Sequence, residues 1–232
     1  MFSDLPPVLA EALAARGYAT PTSVQSAVLA PETVGRDLVV SAKTGSGKTV
    51  AFGLAAAPEI MAAQKGKPST LVVAPTRELA LQVQRELSWL YAKAGRHVVS
   101  CVGGMDPRRE GQELARGCDI VVGTPGRLCD HLDRGRLDLE SVRVLILDEA
   151  DEMLDLGFRD ELEHILLATP KERRTLLFSA TVPPAIQQIA ARYQKDALRI
   201  AVAAGEAHSD IEYRAVMTIP REREHAVVNI LL

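Results

Sequence analysis

Eight residues, Ala42-Lys43-Thr44-Gly45-Ser46-Gly47-Lys48-Thr49, carry the first chemistry legible in this chain. Glycines at 45 and 47 let the backbone turn its amides inward around an anion, and the Lys-Thr that follows opens a run of helical periodicity. The phosphate-loop pattern G-x-x-x-x-G-K-[ST] is met at every fixed position except the first, where Ala42 stands for glycine. In such a loop the stretch Thr44, Gly45, Ser46 and Gly47 cradles phosphate oxygens, Lys48 reaches the β and γ phosphates, and Thr49 binds Mg²⁺ at the positive end of the helix it opens. Further along, Asp148-Glu149-Ala150-Asp151 sets three carboxylates within four residues at the end of an apolar run. They repel one another, so a cation is their natural neighbour. Asp148 suits Mg²⁺, directly or through water. Glu149 stands where it can polarise water for attack on a γ phosphate, a contribution of about 10²–10⁴ in rate. The two segments together imply a nucleoside triphosphate held with Mg²⁺.

These segments need strands to end where they begin. Short apolar runs at 37–41, 70–74, 97–102, 119–122, 142–147 and 175–178, with a weaker one at 198–202, read as strands buried on both faces. Helical periodicity lies between them, most clearly at 49–63, 78–94 and 184–193. Alternation of this kind predicts an α/β fold, a mostly parallel sheet of about seven strands with helices on both faces and right-handed crossovers. Ligands of such sheets sit beyond the carboxyl ends of the strands, which is where both candidate segments fall.

Composition sets few limits. The chain has 232 residues, 47% hydrophobic and 25% charged, values of an ordinary globular protein large enough to need no disulfide or structural metal. Cys101, Cys118 and Cys129 form no C-x-x-C pair, which argues against a zinc knuckle and fits a reducing compartment. No apolar run approaches membrane-spanning length and the first residues lack a signal-peptide pattern, so a cytoplasmic protein without membrane contact is expected. A net charge of −3 does not advertise nucleic-acid binding, yet local amides and arginines can hold phosphates on a mildly acidic protein.

At this point the residues resemble the DEAD-box RNA helicases. Asp148-Glu149-Ala150-Asp151-Glu152-Met153-Leu154 looks like that family's namesake motif, and the likeness runs from Phe2 to about Val202 in the expected order. Upstream, Gly17-Tyr18-Ala19-Thr20-Pro21-Thr22-Ser23-Val24-Gln25 is similar to the Q motif. A glutamine can pair with N6 and N7 of adenine, and Tyr18 can stack on the base for roughly 1–3 kcal/mol, which implies ATP over GTP; a bare helix cap at Thr22 is the competing reading. Pro75-Thr76-Arg77-Glu78-Leu79 looks like motif Ia, Gly103-Gly104 like the double glycine, and Thr124-Pro125-Gly126-Arg127 like motif Ib. Such loops hold phosphates at helix N-termini, implying RNA backbone contacts with weak sequence preference. Ser179-Ala180-Thr181 resembles motif III, whose hydroxyls are within plausible reach of Asp148 or Asp151 and which the resemblance implies couples the acidic motif to unwinding.

The resemblance implies a RecA-like P-loop NTPase domain at 1–203, a linker at 204–209, and at 210–232 the truncated start of a second RecA-like domain. That domain's A-T-D-x-x-x-R-G-x-D and H-R-x-G-R-x-x-R motifs have no counterpart here. They would supply an arginine finger and the rest of the RNA grip. The expected function is therefore that of an ATP-dependent RNA helicase present as its first domain, with little turnover alone. A stand-alone nucleotide-dependent binding module and a P-loop ATPase acting on a non-nucleic substrate are the alternatives. Oligomeric state and RNA identity are not legible.

Overall fold

The structure is a computed structural model that describes Phe2, residues 5–202 and Glu222. The chain divides into two compact units, Met1–Val202 and Ala203–Leu232. The linker and second-domain start expected at 204–209 and 210–232 lie, Glu222 apart, outside the described residues.

Seven short strands form one sheet: β1 (Leu38–Ser41), β2 (Thr70–Val73), β3 (Val98–Cys101), β4 (Ile120–Gly123), β5 (Val144–Leu147), β6 (Arg174–Ser179) and β7 (Leu198–Ala201). Their order is β3-β4-β2-β5-β6-β1-β7, and every pairing is parallel. Alternate residues of each strand enter opposite cores, as the pleat requires. On one face Leu38, Val40, Val72, Ile146, Leu176 and Phe178 pack under α1 (Pro7–Ala15), α2 (Ser23–Val28), α3 (Lys48–Ala55), α4 (Ala57–Ala62) and α5 (Arg77–Tyr91). On the other, Val39, Leu71, Val73, Leu145, Leu147 and Leu177 pack with residues of α7 (Pro125–Asp133), α8 (Ala150–Asp155), α9 (Arg159–Ala168) and α10 (Pro184–Tyr193). The remaining helix, α6 (Pro107–Ala115), follows β3. No helix among the described residues is long and apolar enough to cross a membrane. All three cysteines are buried free thiols.

One element departs from the periodicity. The helix expected over 49–63 is two, α3 and α4, divided at Ala56. Pro58 has no amide to give the Leu54 carbonyl and its ring crowds that turn, so the ladder restarts rather than continues. The helix expected over 78–94 is α5 followed by a single 3-10 turn, Ala92–Ala94, which closes at left-handed Gly95.

Because all strands run one way, the segments that follow β1 to β6 share one edge of the sheet. That edge gathers residues 42–47, 74–76, 102–106, 124, 148–149 and 180–183.

Candidate functional site

Gly45 and Gly47 both sit at positive φ, +80° and +85°. Gly47 is doubly constrained, since a β-carbon there would lie 2.7 Å from Gln25 Nε2. Ala42 instead continues the β1 ladder, its amide donating to the Ser179 carbonyl at 3.1 Å, so this position needs no glycine. Lys48 is buried at the first turn of α3. Its Nζ donates to the Ala42 carbonyl at 3.1 Å and to Glu149 Oε1 at 2.8 Å. The Thr44 hydroxyl donates to the same Glu149 oxygen at 3.0 Å. The phosphate loop is thus drawn onto the acidic pair by a buried ion pair.

Asp148 is buried, and its Oδ1 has no hydrogen-bond partner; nor does Ser46 Oγ. Burial first, then the neighbouring Glu149 carboxylate, push the Asp148 carboxyl up to about 7, with Lys48 pulling the other way. A buried acid with an idle oxygen beside a second carboxylate is a donor set that suits a hard cation; Thr49 is half-buried in the first turn of α3. Glu149 is held at φ +50°, a left-handed conformation costly for a residue with a β-carbon.

Gln25 is fully buried, not on the helix surface. Thr22 and Gln25 form a reciprocal capping box at the start of α2. The Gln25 Oε1 accepts from the Thr22 amide at 3.0 Å, and its Nε2 donates to the Gly47 carbonyl at 3.4 Å. The Thr22 hydroxyl donates to the Ser46 carbonyl at 3.0 Å. The cap and the glutamine are therefore parts of one tether to the phosphate loop. Tyr18 is half-buried with one face on Trp89, ring centroids 5.8 Å apart and planes 30° apart.

Of the two carboxylates offered to the 179–181 segment, Asp151 is the one engaged. Its Oδ2 accepts from the Thr181 amide at 2.9 Å and the Thr181 hydroxyl at 2.8 Å, while its own amide donates to Ser179 Oγ at 3.2 Å. Burial raises the Asp151 carboxyl, but bonds from Ser179 and Thr181 outweigh it and hold the acid below its ordinary value.

The other three loops converge on one turn. Thr76 caps α5 by accepting from the Leu79 amide, Pro75 is buried, and Arg77 is exposed. Gly103 and Gly104 are exposed, with Gly104 at φ +75°, and a β-carbon there would stand 2.6 Å from Arg77 Nη1. Thr124 is half-buried, Pro125 buried and Gly126 exposed at the start of α7. Arg127 faces inward. Its Nη1 donates to Glu110 Oε2 at 2.7 Å, and both terminal nitrogens donate to the Met105 carbonyl at 3.2 Å. Its charge is met inside the protein, because Glu110 is the buried residue of α6. Sequence reasoning passed over Glu110, His131 and Met105. Within Arg108-Arg109-Glu110 a glutamate looks like part of a solvated face, and no local spacing marks it as buried.

A family model described as DEAD/DEAH box helicase matches residues 22–189. The chain is 40% identical over 226 residues to an ATP-dependent RNA helicase DeaD of Mycobacterium tuberculosis, covering 96% of this chain and 40% of that protein. It is 42% identical over 203 residues to the chloroplastic DEAD-box ATP-dependent RNA helicase 3A of Zea mays, covering 84% and 27%. A crystal structure of a DEAD box protein from Methanococcus jannaschii superposes with a TM-score of 0.78 at 34% identity, covering 98% of this chain and 61% of the other. The chain spans less than half the length of these curated relatives.

Proposed function

Since this chain belongs to the DEAD/DEAH box helicase family, we propose that it is the nucleotide-binding part of an ATP-dependent RNA helicase, holding ATP and Mg²⁺ at residues 42–49 and 148–149 and an RNA backbone along the loops after β2, β3 and β4. The observation that carries this reading is the Lys48–Glu149 contact of 2.8 Å beside the unpartnered Asp148 oxygen. An arriving triphosphate offers Lys48 more negative charge than Glu149 does. Transfer of the lysine to phosphate then frees Glu149 to hold and polarise the attacking water. Thr49 and Asp148 are the residues that would hold Mg²⁺, which supplies neutralising charge to the phosphate oxygens. Gln25, already tied to the phosphate loop, is the candidate reader of the adenine edge, and Tyr18 is the candidate to stack on the base. Exposed Arg77, the Gly103–Gly104 amides and the Thr124 turn supply donors to RNA phosphates, a grip with weak sequence preference.

The relatives' extra length leaves room for the second RecA-like domain expected from the sequence. In this proposal it closes on both ligands and brings an arginine finger, whose absence costs about 10³–10⁵ in turnover. The chain alone is then expected to bind nucleotide with little hydrolysis and no unwinding.

Titration with a fluorescent ATP analogue and Mg²⁺ tests the site. Lys48→Ala is expected to weaken binding by about 100-fold or more, near 3 kcal/mol. Retained affinity in a folded Lys48→Ala protein would remove these residues from the phosphate site. Anisotropy of labelled single-stranded RNA, with and without the analogue, tests the partner.

A further inference from the structure

Glu110 stands apart from every motif named above, yet it bonds to the segments that follow both β3 and β4. It is buried, and its two carboxylate oxygens receive three donors. The Val102 amide donates to Oε1 at 2.9 Å; Arg127 Nη1 and His131 Nε2 reach Oε2 at 2.7 and 2.8 Å. These donors come from the end of β3 and from two successive turns of α7. Arg127 then extends the link to the Met105 carbonyl, and Arg77 closes on the same turn through a 3.4 Å contact with Met105 Sδ. We infer that Glu110 is a positioning residue for the RNA-facing loops, fixing the Gly103-Gly104-Met105 turn against α7 by locking Arg127 as a clamp on that turn instead of leaving it free as a phosphate ligand. The RNA half of this inference rests on the function proposed above; the loop-positioning half does not.

The chemistry of the cluster supports a rigid role. A carboxylate only accepts, so the His131 Nε2 facing it carries the proton, and the ring's Nδ1 is left buried without a partner. Among the described residues, Arg127 and His131 are the side chains bonded to the Glu110 carboxylate. Burial alone would raise the Glu110 carboxyl, but the bonds from His131, Val102 and Arg127 bring it below its ordinary value. Cys101 also lies close, within 4.8 Å of the Glu110 and His131 ligand atoms. A divalent ion is nevertheless a poor occupant, because Arg127 already neutralises the one carboxylate available.

Glu110→Gln keeps the size and one acceptor but removes the charge, and Arg127→Lys keeps the charge but removes the forked grip on Met105. Both are tested in the 232-residue chain by amide resonances of residues 103–105 and the Met105 methyl signal, with amides 43–47 as internal control. The inference expects both variants to shift or broaden the 103–105 signals while leaving nucleotide affinity and amides 43–47 unchanged. Single-stranded RNA affinity should fall several-fold, and the double variant should be no worse than the weaker single one. Unmoved 103–105 signals in a folded Glu110→Gln protein would overturn the positioning role whether or not the chain binds RNA. Tighter RNA binding, with a salt slope steeper by about one, would also overturn it by showing that released Arg127 serves as a phosphate ligand. Moved loop signals in a chain that binds no RNA would instead sustain the positioning role and remove the RNA reading. Should Glu110→Gln fail to fold, Arg127→Lys carries the same readouts.

Discussion

At the scale of single residues, Asp148 holds the most consequential proton. In an unfolded chain its carboxyl titrates near 4, whereas in the folded chain it is pushed up to about 7 by burial and Glu149. Between those values the folded protein keeps a proton that the unfolded one has lost. This residue's contribution to stability therefore declines as pH rises across that window and is lowest above it. Asp148→Asn removes the titration. Without divalent cation, the urea midpoint of the Asn variant should gain on the wild type from pH 5 to about pH 7 and level off above it; a gap that does not change with pH would show that Asp148 ionises normally. Residue types and spacing were enough to single out Lys48, Thr49, Asp148 and Glu149 because a phosphate loop is a local device, set by glycines and a helix start within eight positions. Glu110 was hidden because its burial depends on α7, brought to it only by the fold.

At the scale of elements, strand positions were legible because buried parallel strands must be continuous runs of Val, Ile and Leu, as in Val144–Leu147. The α3–α4 break was less so, since periodicity runs across it and only Pro58 announces it. Packing of α7 on the sheet gives a direct test of element geometry. A β-carbon on Gly123, the last residue of β4, would meet the Cys101 carbonyl at 2.6 Å and Leu128 at 2.7 Å. Backbone cannot yield there, so Gly123→Ala should cost about 1–3 kcal/mol in denaturant unfolding. Gly126→Ala, where a β-carbon has nothing within 4 Å, should be close to neutral. Equal effects at the two positions would mean that α7 does not sit this closely on β4.

At the scale of the whole molecule, the two cores that sandwich the sheet run, among the described residues, from Leu9 to Ala190, with Phe2 and Val202 packed at their margin. A chain ending at Val202 is accordingly expected to melt in one transition at the temperature of the 232-residue chain and to bind nucleotide as well; a lower or broadened transition would show that residues 203–232 are needed for folding. Strand order has a consequence in time as well as in space. β1, which launches the phosphate loop, has no sheet neighbours except β6 and β7, with Leu38 opposite Leu176 and Leu198. A ribosome releases the loop early, but the strand beneath it stays unpaired until most of the unit has been made. Closing so distant a pairing is also the slow part of folding. On the function proposed above, nucleotide would therefore meet a nearly finished unit rather than guide the nascent chain.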